Sequence, residues 1–355
     1  MKKTLHIVLL GLYEHDAIGN FTRAIATRMK IAGHSCAIYA QDHSPSLRIT
    51  GTYDDFFANV HPQDVLLYKL SDEDIQFPRL MEAPCQRVVY YHNITPGHFF
   101  RPYDAGIADM LDRGRKSLHI VSQAHAVFAN SAWSLEELRP YITTGALCGV
   151  MPPLTEAMFD HFEKNTWHKT VPDWLPIPYL LTIGRLVPHK NIAWGLKQFA
   201  ALRSHIPNLT YAIVGGDGGV GTYAQELSRL ASTLGEAQNG IRFVGEVTDE
   251  AAALWLHHAT ALLCVSRHEG FGVPLVEAML QGVPVVALSQ PAVNETLGGA
   301  GLILEEQNTH DNAMLMKALL EDAPRLARMR HQQLLRCAVI KERASNNAFW
   351  DALSV

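Results

Sequence analysis

The sequence predicts an α/β fold of two Rossmann-like domains with parallel sheets facing a central cleft, and three observations carry that expectation. Apolar runs of four to six residues alternate with longer amphipathic stretches. The runs are nearly free of polar residues, as strands covered on both faces must be. The same alternation begins again after a proline-marked break near the middle of the chain. At 355 residues the chain exceeds what one core usually holds, so two domains are expected.

Taken in order, Leu5–Leu10 reads as a first buried strand, followed by a loop containing Gly19. An amphipathic helix over about 20–32 stops at Gly33, and Ala37–Ala40 forms the next strand. This β-α-β opening predicts parallel pairing with right-handed crossovers. Val65–Leu67, Arg87–Tyr91 and Ala126–Ala129 are the later strands, with helices over 104–118 and 132–139. From Met151-Pro152-Pro153 to Pro178 the periodicity is lost, which marks a linker. The second series has strands at Tyr179–Ile183, Thr210–Val214, Ile241–Val244, Ala261–Val265 and Val283–Ala287. Helices over 191–204, 221–234, 249–258 and 272–281 separate them. The expected boundaries are 1–170 and 171–339, with 340–355 crossing back onto the first domain.

Composition excludes several classes. Apolar residues make up 48% and charged residues 18%, which is neither disordered nor fibrous. The formal charge is -5, and neither half is basic, so no broad platform for nucleic acid is expected. Arg113, Arg115 and Lys116 read as a solvated helix face. Five scattered cysteines without a C-x-x-C pair fit a reducing compartment. The apolar start contains His6 and lacks a small-residue cleavage site, so a strand explains it better than a leader. No run approaches the ~20 apolar residues of a membrane span. A cytoplasmic location is expected, with contact at the inner membrane face left open.

The chemistry concentrates after two strands of the second half. In Ser266-Arg267-His268-Glu269-Gly270-Phe271-Gly272-Val273-Pro274-Leu275-Val276-Glu277, a strand ends, a glycine turn follows and a helix begins. Free amides and the positive helix end suit a diphosphate there, and Gly270 and Gly272 admit a close backbone approach. Glu269 and Glu277 lie eight residues apart, on the order of 10 Å along a helix. Two carboxylates flanking a phosphate cradle suit a ligand with hydroxyls at both ends, a sugar-diphosphate-ribose; helix capping or surface pairing explains them equally. In Gly184-Arg185-Leu186-Val187-Pro188-His189-Lys190, again after a strand, Arg185 and Lys190 can neutralise a leaving diphosphate. In the first half, Tyr90-Tyr91-His92-Asn93-Ile94-Thr95-Pro96 closes a strand with polar groups. His92 alone among 18 histidines reads as structural.

These segments together resemble glycosyltransferase family 4, retaining enzymes of the two-domain GT-B architecture. The resemblance runs through most of the chain and includes Gly245-Glu246-Val247 and the stretch from Pro284 to Gly301. It implies that Arg185 and Lys190 hold the donor phosphates, with Gly184 in the same turn, and that Glu277 takes the ribose hydroxyls. Glu269 would face the transferred sugar, with Gly270, Phe271, Gly272 and Val273 nearby, and Gly245, Glu246 and Val247 would lie beside the base. Tyr91–Pro96 resembles a branch that includes bacterial polysaccharide mannosyltransferases, which puts His92 by the donor sugar and Gly19 near phosphates and acceptor. Where the family usually has a double glycine, this chain has Ile18-Gly19.

The resemblance implies a nucleoside-diphosphate sugar as donor, GDP-mannose ahead of UDP-sugars, and a saccharide, lipid-linked or small-molecule acceptor. It implies no resident cofactor. Asp72-Glu73-Asp74 has Asp-x-Asp spacing but sits in a polar loop and reads as solvated, not as a metal motif, so metal dependence is not expected. Gly216-Asp217-Gly218-Gly219-Val220-Gly221 satisfies the dinucleotide pattern G-x-G-x-x-G, yet the acidic residue after the next strand is poorly placed, so a donor-side loop is the better reading. A nucleotide-sugar epimerase and a non-catalytic nucleotide-sugar-binding protein are the alternatives.

Overall fold

The computed structural model describes residues 3–14, 16–155, 159 and 173–354. The first half forms a six-stranded sheet in the order β2-β1-β3-β4-β5-β6, from Thr4–Leu12 (β1), Ser35–His43 (β2), Val65–Leu70 (β3), Gln86–Tyr91 (β4), Ala126–Ala129 (β5) and Leu147–Val150 (β6). The second half forms another in the order β12-β11-β10-β7-β8-β9. Its strands are Tyr179–Ile183 (β7), Thr210–Val214 (β8), Ile241–Gly245 (β9), Ala261–Cys264 (β10), Val285–Leu288 (β11) and Leu302–Leu304 (β12). Every strand pairing is parallel. All six residues of β3, all five of β8 and all four of β5 and β11 are buried, which is why their runs are unbroken.

By internal contacts the chain divides into two compact units. One holds Met1–Gly97, Gly106–Phe159 and Ile340–Val355, and the other His98–Ala105 and Asp160–Val339. The end of the chain packs into the first unit. Gln86 Nε2 donates to Ala352 O and Asn346 Nδ2 to Val150 O, both at 3.1 Å. Phe349 meets Tyr90 and Phe128 edge-on at 5.8 and 5.1 Å. Of the stretch expected to link the halves, residues 156–158 and 160–172 lie outside the described residues.

Helix termini follow their capping chemistry. The helix Ala17–Ile31 starts because the Asp16 carboxylate accepts from Gly19 N–H at 3.0 Å. Gly19 is therefore not in a loop, as expected, but in the first turn of this helix. It is buried, and a Cβ there would stand 2.5 Å from Tyr13 O. The close approach that this glycine permits is to the chain's own backbone. The expected helix over 104–118 is Ala105–Lys116, continued by a 3-10 stretch Ser117–Gln123.

Two expectations about solvated charge need correction. Asp74 is buried and accepts from Tyr53 Oη at 2.8 Å, Tyr68 Oη at 2.9 Å and its own loop's Gln76 N–H at 2.8 Å. Arg115 donates to Ile94 O at 2.7 Å and pairs with Glu137, so it clamps the loop after β4. Arg113, on Glu73 at 2.6 Å, and Lys116 are exposed as expected. Asp74→Ala should lower stability by about 2 kcal/mol, because it strands two buried hydroxyls. Urea unfolding of Asp74→Ala against the Tyr53→Phe/Tyr68→Phe/Asp74→Ala triple variant checks this, and the triple variant should recover part of the loss.

Candidate active site

In the second unit the sheet has its switch point between β7 and β10, from which the chain continues toward opposite edges. Ligands of parallel sheets bind beyond the strand ends at that place. The loop after β7 is pinned to the loop after β8: Gly184 N–H donates to Val214 O at 2.9 Å and Leu186 N–H to Gly216 O at 2.8 Å. Gly215 is required for this, since its φ is 147° and a Cβ would lie 2.0 Å from Gly184 O. Arg267 N–H donates to His189 O at 2.9 Å, which ties the loop after β10 to the same assembly.

One pocket results, lined by Thr182, Gly184, Arg185, Lys190, Ser266, Glu269 and Gly272 among others. Lys190 Nζ donates to Glu269 Oε1 at 2.6 Å, and Ser266 Oγ donates to the same oxygen at 2.6 Å. Burial alone would raise the Glu269 carboxyl. The Lys190 ammonium, together with the hydrogen bonds from Lys190 and Ser266, outweighs it and holds the carboxyl below its ordinary value. Arg185 is exposed; its carbonyl accepts from Val187 N–H at 2.9 Å, while its guanidinium makes no hydrogen bond or ion pair among the described residues. The pocket thus offers a fixed ion pair beside a free guanidinium, able to accept from a sugar hydroxyl on one side and meet anionic oxygens on the other.

The helix Val273–Leu280 begins at Gly272, whose φ of 87° only glycine adopts easily. Pro274 removes one amide from its first turn, and Leu275 N–H already donates to Gly272 O at 3.0 Å. Thr296 Oγ1 donates to Phe271 O at 2.6 Å, and the Phe271 ring is buried, so this residue has only its backbone to offer a ligand. Glu277 is half-buried on this helix, outside the pocket lining. Burial, and secondarily the Asp249 carboxylate, pushes its carboxyl up to about 7.

Gly245 ends β9 and Glu246 and Val247 follow it, with Gly245 O accepting from Gly215 N–H at 2.8 Å and the Glu246 side chain exposed. The spacing argument left Glu246 poorly placed relative to the glycine loop, but the fold brings it close: a Cβ on Gly216 would stand 3.3 Å from Glu246 Oε2. His92 and Gly19 belong to the first unit. The His92 ring packs on Tyr90 at 4.8 Å, its Nε2 is buried without a partner, and burial, with Lys69 adding to it, holds it well below the usual histidine range.

Sequence reasoning missed Ser266 and His189. Ser266, three residues before Glu269, reads as an ordinary polar strand end. His189 is buried against Phe100 at 5.6 Å and Phe99 at 6.4 Å, from a segment some ninety residues earlier that packs into the second unit. Nothing local in the sequence signals that contact.

Residues 177–322 match the glycosyl transferases group 1 family. That segment is similar to a group 1 glycosyltransferase domain, and the two parallel sheets have the GT-B architecture. It is 32% identical over 163 residues to the GDP-mannose-dependent alpha-(1-6)-phosphatidylinositol monomannoside mannosyltransferase of Mycolicibacterium smegmatis, covering 43% of this chain and 41% of that protein. It is also 32% identical over 146 residues to the O-antigen chain mannosyltransferase B of Escherichia coli, covering 41% and 38%. The chain thus spans about two fifths of the length of these curated relatives. Among solved structures, the alpha,alpha-trehalose-phosphate synthase (UDP-forming) from Burkholderia vietnamiensis shares the fold with a TM-score of 0.74 at 10% identity, over 99% of this chain and 97% of that one. The group 1 match covers β7 to β12, and so the whole pocket. No helix among the described residues is long and apolar enough to cross a membrane.

Proposed function

We propose that the protein transfers a hexose, with retention of anomeric configuration, from a nucleoside-diphosphate sugar to an acceptor hydroxyl. The observation that carries this reading is the pocket at the β7/β10 switch point, where Arg185 stands beside the Lys190–Glu269–Ser266 cluster at the start of a helix. Arg185 and Lys190 stabilise the charge that develops on the departing diphosphate, a preorganised effect that needs no reorganisation during reaction. Glu269 orients the transferred sugar through its hydroxyls, and Glu277 takes the ribose. Gly245, Glu246 and Val247 lie on the base side. His92 acts on the donor sugar, and the leaving diphosphate accepts the proton of the attacking hydroxyl. Neither a metal nor a further cofactor is needed in this scheme.

The donor is GDP-mannose, with UDP-sugars next, and the acceptor is a saccharide or a lipid-linked sugar, with catalysis in the cytoplasm or at the inner membrane face. The curated relatives named for mannosyl transfer support that choice. Thermal-shift measurements with GDP, UDP, ADP and their sugars test it, because a ligand bound only by the native state raises its stability. GDP-mannose should give the largest shift. Arg185→Ala should cut kcat/KM by roughly 10- to 100-fold, the effect of one charge-assisted contact to phosphate, and wild-type turnover would remove the phosphate role. An epimerised sugar still attached to its nucleotide, formed without acceptor, would replace the transfer reading.

A further inference from the structure

The first sheet has its own switch point, between β1 and β3, and a lysine is buried there. Lys69 lies on β3, paired with Leu9 of β1 on one side and Tyr90 of β4 on the other. It is 1% exposed. Its ammonium sits over the rings of Phe21 and Tyr90, at 4.0 and 4.3 Å from their centroids, and its Nζ has no hydrogen-bond partner. His92 follows β4, its ring tilted against Tyr90 at 4.8 Å, and its Nε2 is likewise buried without a partner. Two basic groups left unpaired in one buried corner are costly unless they serve a purpose.

The corner cannot hold two positive charges. The charged groups acting on it are Asp16 from the helix cap, Lys69 from β3 and His92 from the loop after β4. The neighbouring rings are neutral, and Tyr90 spends its hydroxyl on Met151 O at 2.6 Å. Burial pulls Lys69 well below the ordinary lysine range, but two ring faces and the attraction of Asp16 support its charge, whereas the Nε2 of His92 has no such support. A pair so coupled takes up its protons as a unit, and the better-supported site takes the first.

We propose that Lys69 is a positioning residue for His92, carrying the one positive charge that this corner admits and so keeping His92 a neutral imidazole for the donor sugar. The part concerning the sugar rests on the functional reading above; the part concerning the two side chains does not. A neutral imidazole can accept a hydrogen bond at one ring nitrogen and donate from the other, whereas an imidazolium could only donate and would oppose the growing positive charge on the sugar ring.

The test uses Lys69→Met, which keeps the stem and removes the charge, and Lys69→Arg, which keeps the charge. NMR on the histidine-labelled full chain reads His92, its signal assigned by its loss in His92→Gln. In wild type and Lys69→Arg, His92 should stay neutral through the acid range. In Lys69→Met it should titrate about one pH unit or more higher. The kcat/KM of that variant at pH 6, relative to pH 8, should then fall about tenfold further than in wild type. Unchanged His92 titration in Lys69→Met overturns the proposal, whatever happens to thermal stability. Wild-type kcat/KM in His92→Gln instead removes the donor role of His92 and leaves the Lys69–His92 coupling to be decided by the titration alone.

Discussion

Lys190→Ala should reduce kcat/KM by a factor on the order of 100 to 1,000, the loss typical of one preorganised group that stabilises developing charge. The ammonium has two tasks in the pocket, and both end with the substitution. It supplies positive charge beside the expected phosphate position, and it holds the Glu269 carboxylate at 2.6 Å. The two side chains are 22% and 13% exposed, so water screens the pair little. Without Lys190 the carboxylate keeps only Ser266, and burial, no longer opposed by the ammonium, drives its carboxyl upward. The sign for pH follows. In wild type the Glu269 carboxyl is lowered below 4.5, so its contribution to stability is full above that value and is lost as pH falls through the lowered one. In Lys190→Ala that contribution disappears and turns into a penalty near neutrality, a loss of about 2 kcal/mol. A double-mutant cycle with Glu269→Gln separates the tasks. The stability losses should be strongly non-additive, because the second substitution removes the stranded charge, while kcat/KM stays low. Wild-type kcat/KM in Lys190→Ala would defeat the phosphate assignment; additive stability losses would show that the ion pair is not formed in solution.

Much of this architecture is legible from pattern alone, and the departures share one physical origin. Strands buried on both faces announce themselves, as Thr210–Val214 does with its run Tyr211–Val214, since nearly every position must be apolar. So does the Gly270-Phe271-Gly272 turn, because Gly272 has a φ that other residues resist. Where a residue's role is set by a neighbour far along the chain, local pattern fails. Asp74 looks solvated among three acids, yet its tyrosine partners are 21 and 6 residues away. The apolar run Val65–Leu67 reads as stopping before a polar tail, but the strand continues through Leu70, with the Lys69 Nζ held over the rings of Phe21 and Tyr90. Gly19 reads as a loop breaker, although its small size serves the approach of Tyr13 O. The edge strand Leu147–Val150 has no fully buried residue and thus no apolar signature. Glu269 and Lys190 are each legible as charged loop residues, grouped by pattern with Glu277 and Arg185, but their mutual 2.6 Å bond and the contribution of Ser266 come from loops that only the β7/β10 pairing brings together.

Glu277→Gln should raise thermal stability at pH 8 and leave it nearly unchanged at pH 4.5, while weakening nucleoside diphosphate binding. The cause is the asymmetry between the two glutamates. Glu269 has a cation and a hydroxyl to hold its charge, whereas Glu277 has neither among the described residues and has burial and Asp249 against it. A carboxyl raised from 4.5 to about 7 keeps its proton in the native protein while the unfolded chain loses it. Stability therefore falls as pH rises from about 4.5 to about 7, and levels off above that. The gap is worth at most about 3 kcal/mol. Glutamine removes the titration, so the difference between the two melting temperatures should grow through that window and then stay constant. If Glu277 receives the ribose hydroxyls, their hydrogen bonds favour the ionised form, and binding must expel the proton. Affinity in the wild type should thus rise between pH 5.5 and 7.5, and calorimetry at pH 6 should show proton release that differs between buffers of unlike ionisation enthalpy. Glutamine offers one acceptor in place of two, a loss of roughly 10- to 30-fold at pH 8. A melting difference that does not change with pH would mean that water reaches the carboxyl, and equal affinities would take the ribose away from Glu277.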